Sequence, residues 1–354
     1  MARKVTRQVH AGPVAIGGGA PVSIQSMTNT DTRDVAATTE QILQLEAAGC
    51  EIARVSVYDM ECAKAVEGIR SRIHIPLVAD IHFDYRLAIA AIEHGVDKLR
   101  FNPGNIGSVQ KVRELTACAK AHSVPIRIGV NGGSLEKTLL AEYGGPTPQA
   151  MVESALKHIA ILENEGFYDI VISLKASNVP DTVTAYRMMA ARVDYPLHIG
   201  VTEAGMGELA VVKSAMGLGA LLLDGIGDTL RVSLTGDPVQ EVHAASAILQ
   251  AAGLRRSGVE IVSCPTCGRC GTDLQAAVYN VQSRLQGFQG YLKIAVMGCA
   301  VNGPGEAKEA DMGIAFGKSG NAVLFQKGEQ IGAGPAQDML ERLIVMARAC
   351  ETVS

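Results

Sequence analysis

No apolar stretch in the chain approaches the roughly 18 to 20 residues that a membrane-spanning helix needs, so no membrane association is expected. The N-terminal MARKVTRQVHAGPVAIGGG carries charge but no apolar core of the signal-peptide kind. Basic excess is lacking too. The formal net charge over 354 residues is −4, whereas a protein that coats a polyanion is basic, which argues against nucleic acid as a partner. A disulfide framework is also missing. Of eight cysteines, Cys50, Cys62, Cys118 and Cys350 are scattered and read as inert buried thiols in a reducing cytoplasm. None of the eight histidines falls in an H-E-x-x-H pattern, which argues against a zinc peptidase. No G-x-G-x-x-G fingerprint marks an internal nicotinamide or flavin site. There is no repeat beyond a strand–helix unit and no low-complexity tract.

What is present is alternation. Hydrophobic residues make up 47% of the chain, as expected where parallel strands are buried on both faces. Short apolar, β-rich runs occur at 22–27, 52–57, 76–81, 97–102, 125–130, 169–175, 196–202 and 219–226. Between them lie Ala-rich segments of helical spacing, several ending in Gly. Eight such units in about 250 residues match a (β/α)8 TIM barrel in number and length. An open doubly wound sheet would want a glycine-rich turn after its first strand, and SIQSMTNTDT has none. The preceding segment reads as a hairpin that plugs the barrel's N-terminal end. The barrel is assigned to 1–252. After a polar joint, 259–354 reads as a small α+β domain with its cysteines at strand ends. GIAFGKSGN within it resembles a P-loop, but the spacing from Gly313 to Gly317 is one residue short and a strand follows.

Active sites of such barrels lie at the C-terminal ends of the strands. Those ends offer Arg54 and Ser56, Asp80 and His82, Arg100 and Asn102, Arg127 and Asn131, Lys175 and Ser177, Thr202 and Glu203. The loop after strand eight adds Arg231 and Ser233. Five cations gather at one end of an acidic chain, with Asp80 and Glu203 as the main carboxylates. Buried cations need anionic partners, and planar Arg forks suit phosphate oxygens. The pattern points to a ligand with several negative charges.

The second domain carries IVSCPTCGRCGTD and MGCAVNGPGEA, with Cys264, Cys267, Cys270 and Cys299. Thiolates bind soft metals. The second loop has one cysteine, where structural zinc would show a paired knuckle. The spacing leaves an iron–sulfur cluster, zinc and redox or inert thiols all open. Spacing alone favours Cys264, Cys267, Cys270 and Cys299 as ligands, a closed set suited to passing electrons, whereas chemistry on a substrate would want one iron with a replaceable ligand.

These two loops resemble the signature of the 4-hydroxy-3-methylbut-2-enyl diphosphate synthase family. The resemblance runs along the chain, through ARVSV, VADIHFD, KLRFNPGNIG, RIGVNGGSL, ISLKAS, GVTEAG and GIGDTLRVSLTGDP. It implies a barrel followed by a cluster-bearing domain, in the compact bacterial two-domain form. It implies reductive opening and dehydration of 2-C-methyl-D-erythritol 2,4-cyclodiphosphate. It further implies a 4Fe–4S cluster on Cys264, Cys267, Cys299 and Glu306, with Cys270 an incidental neighbour. The implied substrate-binding residues are Arg54, Arg100, Asn102, Arg127, Asn131, Lys175, Ser177, Arg231 and Ser233. Glu203 and Glu306 are the implied catalytic carboxylates, Glu203 positioning the substrate or moving a proton. Asp80 and His82 receive no role.

The expected protein is a cytoplasmic iron–sulfur oxidoreductase fed by an external carrier, flavodoxin or ferredoxin. A zinc-ribbon-bearing barrel acting as a binding module, and a metal-free barrel synthase, are the rival classes; iron and sulfide content separates them. A homodimer with shared active sites is also expected. The helix at 238–252 runs about 20 Å away from the mouth, and the joint 253–258 regains that distance only when fully extended. A two-fold pair avoids the stretch.

Overall fold

A computed structural model of the chain describes residues 3–106, 108–299, 309–317 and 320–351. It divides into two compact units, Met1–Leu254 and Arg255–Ser354.

The first unit opens with an antiparallel hairpin, β1 (Val9–Ala11) and β2 (Val14–Ile16). Eight parallel strands follow: β3 (Ser23–Met27), β4 (Ile52–Ser56), β5 (Leu77–Asp80), β6 (Lys98–Arg100), β7 (Ile126–Asn131), β8 (Ile170–Lys175), β9 (His198–Ile199) and β10 (Thr229–Leu230). Their order is β8-β7-β6-β5-β4-β3-β10-β9, and a single bridge, Ile172 to Leu197, joins the two ends into a barrel. Local chemistry sets the helices between them. Asp34, Asp59, Ser108 and Asn178 cap helix N-termini by accepting backbone N–H bonds. Gly49 and Gly95 take positive φ just past helix ends, where a side chain would be strained.

One strand differs from expectation. The run 219–226, read as strand eight, is instead the end of the helix Gly207–Leu223 and its turn. The eighth strand is the two-residue β10. A short apolar run has no period that separates a strand from a buried helix. Ala210, Ser214, Gly217, Leu218, Leu221 and Leu222 are the buried positions, and their spacing is helical.

Because side chains alternate along a strand, every second residue points into the barrel. The bottom is apolar: Ile52, Val78 and Val171 pack against Val9, Ala11 and Ile16 of the hairpin. The fully buried Lys98 and His198 are polar members of the barrel strands. Lys98 Nζ donates to Gln25 Oε1 at 3.3 Å, while both His198 ring nitrogens lack a partner among the described residues. The second unit is a five-stranded sheet, β11 (Gly258–Ser263), β12 (Tyr291–Met297), β13 (Met312–Phe316), β14 (Asn321–Gln326) and β15 (Glu329–Pro335), in that order. The first three strands are parallel and the rest antiparallel. Helices Leu274–Arg284 and Ala336–Ala349 share a core with the sheet through Val281, Ile294, Leu324 and Leu343.

The β8–β9 junction is the weak one, and Tyr186 spans it. Its buried hydroxyl accepts from Leu174 N at 3.1 Å and donates to His198 O at 2.5 Å. Tyr186→Phe leaves both backbone groups unpaired, at about 1–3 kcal/mol each. Urea unfolding of the variant is expected to show a lower midpoint with an unchanged slope.

Candidate active site

The C-terminal ends of the barrel strands enclose a cavity of about 110 Å³. Arg54, Asp80, His82, Arg100, Arg127, Asn131, Lys175, Thr202, Arg231 and Ser233 line it, with Gly129 and Ser173. Two glycines make room. A Cβ on Gly129 would lie 2.7 Å from Arg100 Nε, and one on Gly200 would lie 2.7 Å from Arg231 O and 3.0 Å from Lys175 Nζ. Three expected residues stand off the lining. Asn102 spends both ends of its amide on Gly129, donating to the carbonyl at 2.9 Å and accepting from the N–H at 2.8 Å. That clamp prolongs the β6–β7 pairing beyond Arg100 and Arg127. Ser177 and Glu203 are exposed. Glu203 sits at φ +53°, a left-handed conformation that a non-glycine residue adopts at a cost.

The five cations share few carboxylates. Asp80 lies 3.3 Å from Arg100 Nη1 and 3.9 Å from Arg54 Nε. Burial works against its charge, but Arg54, Arg100 and Arg127 outweigh burial and hold its carboxyl below the ordinary range. Arg231 is held by Glu241, a buried residue of the helix Pro238–Ala251. Among the described residues Arg54 hydrogen-bonds only to the Met27 thioether, with Nε at 3.0 Å and Nη2 at 2.8 Å from the sulfur, Asp80 being too far for a hydrogen bond. Burial, with Arg231 and Arg100 nearby, brings its guanidinium down to about 10 despite Asp80. Arg127 is 2% exposed, and its Nε and Nη1 have no partner among the described residues. Burial and then the neighbouring cations depress Arg127 and Lys175 well below their ordinary values. His82 is pushed down by burial, against Asp80, and accepts from Arg100 Nη1 through Nδ1 at 3.0 Å. Donors and positive charge are in excess, so the cavity is complementary to an anion rich in acceptors.

Sequence reasoning missed Glu241 and Met27. Glu241 lies in the first turn of the helix that follows the loop after strand eight, ten residues past Arg231, where an acidic side chain had no reason to be paired with that arginine. Met27 closes strand one with an apolar name and acts here as an acceptor.

In the second unit, Cys264 follows β11 and Cys299 follows β12, and the two strands pair in parallel up to Ser263 and Val296. Gly298 joins the loops: its N–H points to Cys264 Sγ at 3.3 Å, and its carbonyl accepts from Gly271 N at 3.1 Å. A Cβ there would lie 2.6 Å from Cys270 Sγ. Cys270 donates to Thr272 O at 3.2 Å, and Cys267 is exposed. Among the described residues no three His, Cys, Asp or Glu side chains stand together closely enough to hold a metal ion. Residues 300–308, and Glu306 with them, lie outside the described residues. The donor set, thiols on two adjoining strand ends with a backbone N–H aimed at one sulfur, fits a thiophilic centre in kind.

The unpaired burial of Arg127 has a measurable consequence. Arg127→Met removes a buried cation that has no hydrogen-bonded carboxylate, so the variant is expected to melt no lower than wild type. Its affinity for pyrophosphate should fall about 10- to 100-fold. Differential scanning calorimetry with and without pyrophosphate reads both effects, since a bound anion raises the melting temperature. A variant that melts much lower would make Arg127 a structural residue.

Two family models match the chain in order, the GcpE TIM-barrel domain at residues 6–246 and the GcpE protein C-terminal domain at residues 260–349. The 4-hydroxy-3-methylbut-2-en-1-yl diphosphate synthase (flavodoxin) of Geobacter sulfurreducens is 58% identical over 339 residues, 96% of each chain. That of Caldanaerobacter subterraneus subsp. tengcongensis is 56% identical over 342 residues, 97% of this chain and 96% of its own. That of Lawsonia intracellularis is 57% identical over 338 residues, 96% of this chain and 94% of its own. With both domain models matched and relatives more than half identical from end to end, the chain belongs to the GcpE family, the family of the 4-hydroxy-3-methylbut-2-en-1-yl diphosphate synthases.

Proposed function

We propose that the protein reductively opens and dehydrates 2-C-methyl-D-erythritol 2,4-cyclodiphosphate to 4-hydroxy-3-methylbut-2-enyl diphosphate, as an oxidoreductase drawing electrons from flavodoxin. The observation that carries this reading is the mouth cavity, where five cations meet, among the described residues, only Asp80 and Glu241 as close carboxylates. A diphosphate supplies the missing negative charge. Arg54, Arg100, Arg127, Lys175 and Arg231 hold its oxygens, and Asn131 and Ser233 lie on the same wall. Asp80 keeps Arg54 and Arg100 apart and aimed inward. Neutral His82 takes a hydrogen bond from Arg100 without adding charge.

A 4Fe–4S cluster would be held by Cys264, Cys267, Cys299 and Glu306. When bound, it supplies the two electrons singly. Glu203 takes the part of a proton carrier at the mouth, where a carboxylate on strained, exposed backbone is free to meet a ligand. One ring C–O bond breaks, two electrons enter, and the hydroxyl leaves as water with a proton. The protein acts in the cytoplasm as a homodimer in which each barrel mouth is completed by the thiol loops of the partner.

The ligand set is checked by composition. Cys264→Ser, Cys267→Ser and Cys299→Ser are each expected to lose most iron and sulfide on anaerobic purification, whereas Cys270→Ser keeps them. Glu306→Gln should retain part of the cluster and turn over slowly. Loss confined to Cys270→Ser, or zinc in place of iron, overturns the assignment.

Sharing of sites is checked by complementation. Glu203→Gln and Cys264→Ser should each be inactive alone. After subunit exchange, verified by mass, a mixed dimer has one intact mouth facing one intact cluster, and activity returns. Exchange without activity means that each cluster serves its own barrel.

A further inference from the structure

Strand one and strand eight of the barrel pair through only two positions, Thr229 with Ser23 and Leu230 with Ile24. Beyond them the seam has no ladder, yet Arg231 must stand there at a fixed place on the cavity wall. A single carboxylate spans the gap. Glu241 Oε2 accepts from Arg231 Nε at 3.1 Å and from Ser26 Oγ of β3 at 2.9 Å. Its Oε1 accepts from Arg231 Nη2 at 3.1 Å and from Leu234 N at 3.1 Å. Glu241 is 3% exposed and Ser26 fully buried, so water does not compete for these bonds. The Nε–Nη2 edge of the guanidinium is thereby spent, and Nη1 is left beside the cavity, 3.7 Å from Met27 Sδ. The carboxylate lies behind the arginine and is not among the cavity-lining residues.

We propose that Glu241 is a positioning residue for diphosphate recognition: it latches the barrel seam and fixes the Arg231 fork so that its remaining face meets the phosphate. The proposal rests on the diphosphate reading above. All four of its partners are donors, which only an ionised carboxylate can satisfy together. A glutamine offers one acceptor oxygen and turns its own N–H groups toward two of those donors. Electrostatics alone predicts the opposite sign, because removing a negative charge near a cationic site tightens anion binding. Weakened binding in Glu241→Gln therefore reports lost orientation.

The test is a double-mutant cycle on the anaerobic holoenzyme, reading the dissociation constant of the cyclic diphosphate by calorimetry and KM and kcat separately. Glu241→Gln is expected to raise the dissociation constant and KM about tenfold with little change in kcat. Arg231→Met should raise them at least as much. In the Arg231→Met background, Glu241→Gln should add almost nothing, since its agent is already gone. Equal effects of Glu241→Gln in both backgrounds, or tighter binding in the single variant, overturns the proposal. If Arg231→Met leaves binding unchanged, the diphosphate reading of the cavity fails instead, a separate outcome. Should Glu241→Gln not fold, Glu241→Asp, which keeps the charge but shortens its reach, is carried through the same cycle with the same expected coupling.

Discussion

Everything at the barrel mouth follows from an imbalance of charge. Five basic side chains converge where the described residues provide two close carboxylates. Burying such a group without a partner costs several kcal/mol. Arg127 bears that cost most directly, with two guanidinium nitrogens unpartnered in a nearly solvent-free place. A fold tolerates this when its ligand completes the site, and the barrel provides the rigid scaffold that holds the cations apart until then. The glycines at positions 129 and 200 belong to the same design, since a side chain at either would push the cations out of register.

The carboxylates present are placed with economy. Asp80 stands between two arginines at the centre of one wall, and Glu241 stands behind a third at the barrel seam. Neither faces the cavity alone. Each fixes the direction of a fork while leaving the overall charge positive. Asn102 plays the neutral counterpart, tying its amide to the Gly129 backbone on the neighbouring strand. The mouth thus has residues that line the cavity and residues that hold those residues still.

How much of this was legible before the structure depends on range. Alternation along a strand is a local rule, so Arg54, Arg100, Arg127 and Lys175 could be placed on the inner wall by counting residues. Arg231 was found by the loop that carries it, although the strand before it was misplaced. The run GALLLDGI is apolar without a period, and only the packing of Leu218, Leu221 and Leu222 shows that it is helical. Glu241, Tyr186 and Met27 were illegible because their partners lie on other elements. A carboxylate ten residues from an arginine, or a tyrosine on an outer helix, carries no sign of the strand it will bridge. The role expected for Asn102 met the same limit, since its amide pairs with a backbone twenty-seven residues away. In the second domain the thiol spacing was plain from the sequence, but the contact of Gly298 with both loops was not.

The hairpin at the base has a thermodynamic side. Val9, Ala11 and Ile16 lie against Ile52, Val78 and Val171, so the bottom of the barrel is apolar and offers solvent no polar path. Above that floor sit the buried Lys98, Gln25 and His198; among the described residues Gln25 Nε2 and both His198 ring nitrogens have no partner. That polar layer is stripped of water on folding without a full return of hydrogen bonds, a desolvation cost that the apolar floor beneath it helps to offset.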